Sequence, residues 1–278
     1  MKRQKSISEI LKENRNISRL EARLLLSFVT GLSREKIVAH PEFKIKKSET
    51  RRFLSLCKKR ALGVPLAYLT HNRWFYGLNF HVDERVLIPR PETELLVDEV
   101  IRSPIKSGMT KICDVGTGSG CIAIALAKNL QNVQIVALDN SFGALSVAKK
   151  NAKTHNVSNK IKFIKSDLLA RVSDEKFDMI VANLPYIADG DDSVEEDVRK
   201  YEPKSALFSG KTGLELFEKM FAQIVSMPHP PKFLFAEFGF GQRRPLEKLI
   251  KKHFVNAKIK WLRDLSGKFR AFVLNFAV

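Results

Sequence analysis

Two short runs of this chain have residue types and spacing suited to chemistry. The first is Asp114-Val115-Gly116-Thr117-Gly118-Ser119-Gly120, which ends an apolar stretch begun at Lys111 and passes at once into apolar Cys121 to Leu126. Glycines at alternate positions permit a tight turn and let a ligand approach bare backbone. A second apolar stretch, Gln134 to Asp139, closes on a carboxylate 23 residues beyond Gly116. A carboxylate at that point accepts hydrogen bonds from both ribose hydroxyls, so the turn and Asp139 together read as a nucleoside site. The second run, Asn183-Leu184-Pro185-Tyr186, follows apolar Phe177 to Ala182. Here the Asn183 side-chain carbonyl and the backbone carbonyl of residue 184 provide two acceptors for a flat, conjugated NH2 group. Pro185 fixes the turn, and Tyr186 is placed to pack against the flat group.

The spacing narrows the choice of nucleoside. A dinucleotide site spaces its glycines GxGxxG so that a pyrophosphate rests on the helix N-terminus. This chain has GxGxG with Asp114 in front, and a carboxylate there would repel a pyrophosphate. It suits the ammonium and sulfonium groups of S-adenosylmethionine. A third strand ending in Ser166-Asp167-Leu168 offers a carboxylate to the adenine amino group and a leucine to cover the ring; strand-end aspartates also serve simply as helix caps. The chemistry implied is transfer of a methyl group to a conjugated NH2. Such a nitrogen is a poor nucleophile and must be aimed, and positive charge leaves sulfur for nitrogen as the methyl moves in line. Two preorganised carbonyl dipoles stabilise that charge, and no strong base is required.

These runs need a scaffold, and the pattern around them supplies one. Apolar segments at Lys111 to Val115, Gln134 to Asp139, Ile161 to Ile164, Phe177 to Ala182 and Lys232 to Glu237 alternate with helical segments near 121–128, 142–153, 213–227 and 243–253. Such alternation predicts an α/β fold with a mainly parallel sheet. Two late strands, Ile259 to Leu262 and Phe269 to Phe276, leave little room for a helix between them and are expected to pair antiparallel at an edge, making seven strands. Ligands bind outside the carboxyl ends of such strands, which brings the glycine turn and the tetrad to one crevice.

Upstream, residues 1–70 read as a small helical bundle. Ser6-x-x-Glu9 and Ser18-x-x-Glu21 have capping-box spacing, Gly31 and Gly63 sit where C-terminal caps belong, and two further helices are expected from Ser33 to about His40 and from about Ser48 to Leu62. Residues 71–88, with Trp74, Phe75 and Tyr76 before Gly77 and Phe80 and Val82 after it, predict a β-hairpin connector. The catalytic domain then occupies 89–278.

Composition bounds the rest. The 278 residues are 44% hydrophobic and 28% charged, which excludes disorder and collagen-like repeats. No apolar run approaches the roughly 20 residues that cross a bilayer, and the basic start MKRQK has no long apolar region behind it. A protein that neither spans a membrane nor is secreted is expected in the cytoplasm. Cys57, Cys113 and Cys121 form no CxxC pair, so neither a disulfide nor a metal site is expected. The net charge of +18 is uneven: residues 1–60 carry 17 basic and 6 acidic side chains, and residues 242–278 carry 10 and 2. Basic ends permit nucleic-acid contact without requiring it.

With these motifs in place, the chain resembles the HemK/PrmC family, the release factor glutamine methyltransferases. The family tetrad is usually Asn-Pro-Pro-Tyr, and Leu184 here replaces its first proline. Leu87-Ile88-Pro89-Arg90-Pro91-Glu92-Thr93-Glu94 is similar to the family's IPRPxTE segment. Glu202-Pro203 with Ala206, Leu207 and Gly210 is similar to its EPxxALxxG, and Asp264-Leu265-Ser266-Gly267 with Arg270 to its closing DLxGxxR. The helical start also resembles the family's N-terminal domain. The resemblance implies a Rossmann-like S-adenosylmethionine-dependent methyltransferase domain. It would act on the side-chain amide nitrogen of the glutamine in the Gly-Gly-Gln loop of peptide-chain release factors, and the helical domain would grip the factor. Carried over by motif, Gly116 to Gly120 and Asp139 bind the cofactor, Asn183 touches both ligands, and Asn183 to Tyr186 hold the glutamine. The acidic stretch from Asp189 to Asp197 would attract a basic substrate loop or stay solvated.

Two relatives in chemistry stay open. The ribosomal protein L3 glutamine methyltransferase typically reads IPRSPxxE where this chain has Pro91-Glu92-Thr93-Glu94. Ribosomal RNA adenine dimethyltransferases carry an Asn-Leu-Pro-Tyr tetrad but lack the IPRPETE-like segment and the preceding helical bundle. A non-enzymatic, ribosome-associated binding module predicts loss of Asp139 or Asn183, and both are present.

Overall fold

The computed structural model describes residues 4–103 and 108–276. The basic start Met1–Arg3 lies outside the described residues. The chain divides into two compact units, one running through Asn72 and including Glu196–Tyr201, the other comprising Arg73–Glu195 and the chain from Glu202 onward.

The helical unit contains α1 (Ile7–Glu13), α2 (Arg19–Thr30), α3 (Arg34–Ala39), α4 (Lys47–Ala61) and α5 (Leu66–Thr70). Both serine capping boxes form. The Glu9 N–H donates to Ser6 Oγ at 3.2 Å and the Ser6 N–H to Glu9 Oε2 at 2.7 Å, with Ser18 and Glu21 repeating the arrangement. Each satisfies backbone donors that the first helical turn leaves unpaired. Gly31 closes α2 in the left-handed conformation, and Ser33 caps α3. The fifth helix, α5, follows Pro65 without a side-chain cap, which is why the sequence pattern did not announce it. Ile7, Ile10, Leu25, Leu26, Ile37 and Phe53 fill the core of this unit.

Later in the chain, Glu196–Tyr201 packs with the same unit. Asp197 stands 3.6 Å from Arg60, and the Tyr201 hydroxyl donates to the Leu62 carbonyl at 2.6 Å. Part of the acidic stretch read from the sequence is therefore committed to an internal ion pair.

The larger unit opens with a hairpin, β1 (Arg73–Phe75) and β2 (Leu78–Phe80), paired antiparallel. Tyr76 and Gly77 both adopt positive φ, 50° and 69°, the primed turn that matches strand twist. The hairpin is shorter than the aromatic pattern suggested, since pairing ends at Phe80.

Beyond it come α6 (Glu94–Arg102), β3 (Thr110–Val115), α7 (Cys121–Asn129), β4 (Val133–Asp139), α8 (Phe142–Thr154), β5 (Ile161–Lys165) and β6 (Met179–Ala182). After α9, the Glu196–Tyr201 helix already described, follow α10 (Glu215–Val225), β7 (Phe233–Glu237), α11 (Arg243–His253), β8 (Lys258–Arg263) and β9 (Phe269–Asn275).

The seven strands form one sheet in the order β5-β4-β3-β6-β7-β9-β8. Strands β3 to β7 run parallel, and β9 is antiparallel to both its neighbours, as the short late connection required. The order turns back at β3, flanked by β4 on one side and β6 on the other. This is the switch point where an open α/β sheet splits at its carboxyl edge. Val115, Leu138, Ile180, Leu234, Phe217 and Phe272 bury the sheet on its helices. Burial of each such side chain contributes about 1.5–3 kcal/mol. Among the described residues no helix is long and apolar enough to cross a membrane.

Candidate active site

A cavity opens at the switch point. Of the residues singled out from the sequence, Gly116, Thr117, Gly118, Ser119, Asp139, Asp167, Leu168, Asn183, Leu184 and Pro185 line it. Asp114, Gly120 and Tyr186 are not among the residues that line it.

The glycine turn is built by its neighbours. Gly116 has φ +75°, and a Cβ there would meet Leu184 Cδ2 at 3.3 Å, so the turn and the tetrad are packed together. Gly120, at φ +81°, would bring a Cβ to 3.1 Å from that of Ala148, and so its role is to let α7 pack on α8. Asn151, which carries no motif, braces the turn from behind. Its Nδ2 donates to Ser119 and His81 carbonyls, each at 2.9 Å, while its Oδ1 accepts from the His81 N–H at 2.8 Å.

Asp114 differs from its expected place. Its side chain is fully buried beneath the turn, with Oδ2 accepting from the Thr117 hydroxyl at 2.6 Å and Oδ1 left without a partner. Burial pushes its carboxyl up to about 7 against the pull of the Thr117 bond. The group supports the turn rather than forming its surface.

Asp139 lies on the cavity wall, its two oxygens accepting from the Gly118 and Ser141 N–H groups, each at 2.9 Å. Burial raises its pKa, and the backbone donors act in the opposite direction. Asp167 lines the cavity too, but its carboxylate is ion-paired with Lys219, so a lysine competes for the acceptor offered to an adenine. Leu168 adopts φ 51°, a left-handed backbone uncommon for leucine, and is buried.

The tetrad shows a directed chain of hydrogen bonds. Asn183 Nδ2 donates to Thr93 Oγ1 at 3.0 Å, and Thr93 Oγ1 donates to Glu237 Oε2 at 2.7 Å. The Tyr186 hydroxyl donates to the other oxygen, Oε1, at 3.1 Å. Glu237 is buried at the end of β7. Burial raises its pKa, opposed by its bonds from Thr93 and Tyr186. Burial also pushes the Tyr186 phenol up, so it keeps the proton it donates. No described residue donates to Asn183 Oδ1 or to the Leu184 carbonyl oxygen, which leaves both as acceptors. Gln242 Nε2 donates to the Tyr186 carbonyl at 2.8 Å and fixes the far side of the turn.

Sequence reasoning quoted Thr93 only as part of a motif and gave Glu237 no role. A signal for Glu237 was available: an acidic residue ends an otherwise apolar strand at the ligand edge, as Asp139 does. Arg90, also on the cavity wall, is held by buried Glu202 at 2.5 Å, and Glu202 accepts the Ile88 N–H as well, at 3.0 Å. These bonds fasten the IPRPETE segment to the segment that begins Glu202-Pro203.

This geometry has counterparts among known proteins. Residues 91–200 match the family model of the methyltransferase small domain, and residues 4–70 match that of the PrmC N-terminal domain. The chain is 42% identical over 212 residues to the release factor glutamine methyltransferase of Chlorobaculum tepidum, covering 73% of this chain and 72% of that protein. It is 34% identical over 269 residues to that of Coxiella burnetii, covering 97% and 96%. The chain belongs to the release factor glutamine methyltransferase family. In fold, this family member is similar to the N-terminal domain of human METTL16 in complex with SAH, at a TM-score of 0.56 and 17% identity over 91% of this chain and 94% of that one. A ribosomal protein L11 methylase from Lactobacillus delbrueckii subsp. bulgaricus gives a TM-score of 0.50 at 22% identity, covering 70% and 83%.

Proposed function

We propose that this chain transfers the methyl group of S-adenosylmethionine to the side-chain amide nitrogen of the glutamine in the Gly-Gly-Gln loop of peptide-chain release factors. One observation carries the reading: Asn183 and Leu184 both line the cavity, and Asn183 is tied through Nδ2 to Thr93, which leaves its Oδ1 and the Leu184 carbonyl with no donor among the described residues. Two acceptors and no donor suit a planar NH2.

The residues of the switch point fit the cofactor. Gly116 and Gly118 present bare backbone, Asp139 faces the cavity, and the Asp114 carboxyl beneath the turn, raised to about 7 by burial, would ionise in favour of a cationic ligand. S-adenosylmethionine supplies an activated methyl on sulfonium. Asp139 would accept the ribose hydroxyls, and Leu168 would cover the adenine. Asn183 and the Leu184 carbonyl would hold the two amide protons and aim the nitrogen. Their dipoles then stabilise the charge that develops there, and the methylated nitrogen releases its proton to water. Tyr186 keeps the turn in place from behind through Glu237. The helical unit would grip the release factor away from the reacting loop, and a substrate of translation places the protein in the cytoplasm.

The test is incubation of purified protein with labelled cofactor and, separately, a release factor, ribosomal protein L3 and bare ribosomal RNA. Mass spectrometry should find the added methyl on the Gly-Gly-Gln glutamine. Labelling of RNA or L3 with none on the release factor would reverse the assignment.

A further inference from the structure

We infer that Thr93 is a positioning residue that sets which end of the Asn183 amide faces the cavity, and that through it the site selects a carboxamide over the isosteric carboxylate. The inference rests on the function proposed above.

An asparagine amide is nearly symmetric in shape, and rotating it by half a turn exchanges an acceptor for a donor. Which way it points is decided by its partners. Thr93 has a single hydroxyl proton. That proton goes to Glu237 at 2.7 Å, where two hydroxyl groups, of Thr93 and Tyr186, converge on one buried carboxyl group. Two converging donors match an ionised carboxylate, which accepts and has no proton to give. Burial and the neighbouring Glu92 raise the pKa of Glu237, while the two hydroxyl donors, Thr93 and Tyr186, and Arg270 pull it back towards that ionised form. With its proton committed, Thr93 Oγ1 can only accept from Asn183, and it does so at 3.0 Å from Nδ2. The opposite orientation would set Asn183 Oδ1 against a lone pair of Thr93. The polarity of the chain therefore runs from Asn183 to Thr93 to Glu237, and Oδ1 is left for the ligand.

The consequence is specificity. A glutamine amide brings N–H donors to Oδ1 and to the Leu184 carbonyl. A glutamate carboxylate of the same shape brings oxygen against oxygen at both places, a repulsive contact that works against the wrong ligand. Released from Thr93, Asn183 could turn its Nδ2 to the cavity and accommodate the carboxylate.

The experiment compares wild type with Thr93→Val, which keeps the shape and removes the hydroxyl, and with Thr93→Ser, which keeps the hydroxyl. Each is assayed on a release factor, with the factor's Gly-Gly-Glu variant as competitor. Cofactor affinity and melting temperature are measured in parallel. Thr93→Val should lower kcat by about tenfold or more, leave cofactor affinity within about threefold, and narrow the preference for the glutamine over the glutamate factor by about tenfold. Thr93→Ser should restore both kcat and the preference. The narrowed preference is the decisive readout, because a merely structural lesion would lower activity without favouring the carboxylate. Unchanged preference in Thr93→Val, or a serine variant as impaired as the valine, overturns the role of Thr93. A wild-type protein that methylates no release factor overturns the function itself and the inference with it.

Discussion

The carboxylate of Asp139 accepts the Gly118 backbone N–H at 2.9 Å, tying the end of β4 to the glycine turn after β3. The same residue lines the cavity, so Asp139 both shapes the turn and forms part of the cavity wall. Hydrogen bonds to a charged group contribute about 1.5–3 kcal/mol each. Asp139→Asn removes the charge and one acceptor. Its cofactor dissociation constant should rise by about tenfold or more, with kcat at saturating cofactor little changed. Titration calorimetry and steady-state kinetics separate the two effects, and a kcat defect at saturation would count against a binding role.

Asn183 stands differently in the site, at the end of β6 and on the acceptor side. Removing one preorganised partner of a developing charge typically lowers turnover by about 10²–10³-fold. Asn183→Ala should show a loss of that order in single-turnover methylation, with cofactor affinity largely kept. Retention of more than about a tenth of the wild-type rate would show that the Leu184 carbonyl alone suffices to aim the nitrogen.

Asp114 makes a prediction about pH. Its carboxyl is raised from 3.8 to about 7 by burial, so the folded chain keeps a proton that the unfolded chain gives up. Below the unfolded value there is no penalty. As pH rises from 3.8 towards about 7 the folded state loses stability, and above that the loss levels off at roughly 4 kcal/mol. Asp114→Asn is neutral at every pH. In denaturant titrations of the ligand-free protein, the stability of the variant relative to wild type should increase from about pH 4 to about pH 7 and level off above that. A difference that stays constant across that window would mean the carboxyl titrates normally. A bound cationic ligand should favour the ionised form, so cofactor binding by wild type should release protons near neutral pH, and binding by the variant should release fewer.

Much of this protein was legible along the chain because the relevant signals are local. Serine-to-glutamate spacing marked both capping boxes, and alternating apolar runs marked the strands of a mainly parallel sheet. Two strands with no room for a helix had to pair antiparallel, and β8 and β9 do. The glycine run and the Asn-Leu-Pro-Tyr tetrad are contiguous, so their chemistry could be read before any folding was known.

Helix α5 was not legible, because nothing in its sequence caps it. Asn151 and Arg90 went unassigned for another reason: each makes its contacts with residues remote in sequence.

The sequence by itself determined the class of fold and marked the glycine turn and the Asn-Leu-Pro-Tyr tetrad as the candidate places for a nucleoside and a flat amino group. Only the tertiary structure decided that Asp114 lies under the turn, that Asp167 is engaged by Lys219, and that Asn183 is oriented by Thr93 and Glu237. The physical reason is the same in each case. Burial and hydrogen-bond polarity depend on groups that the sheet brings together from distant parts of the chain, and neither residue type nor spacing records which way a proton is shared.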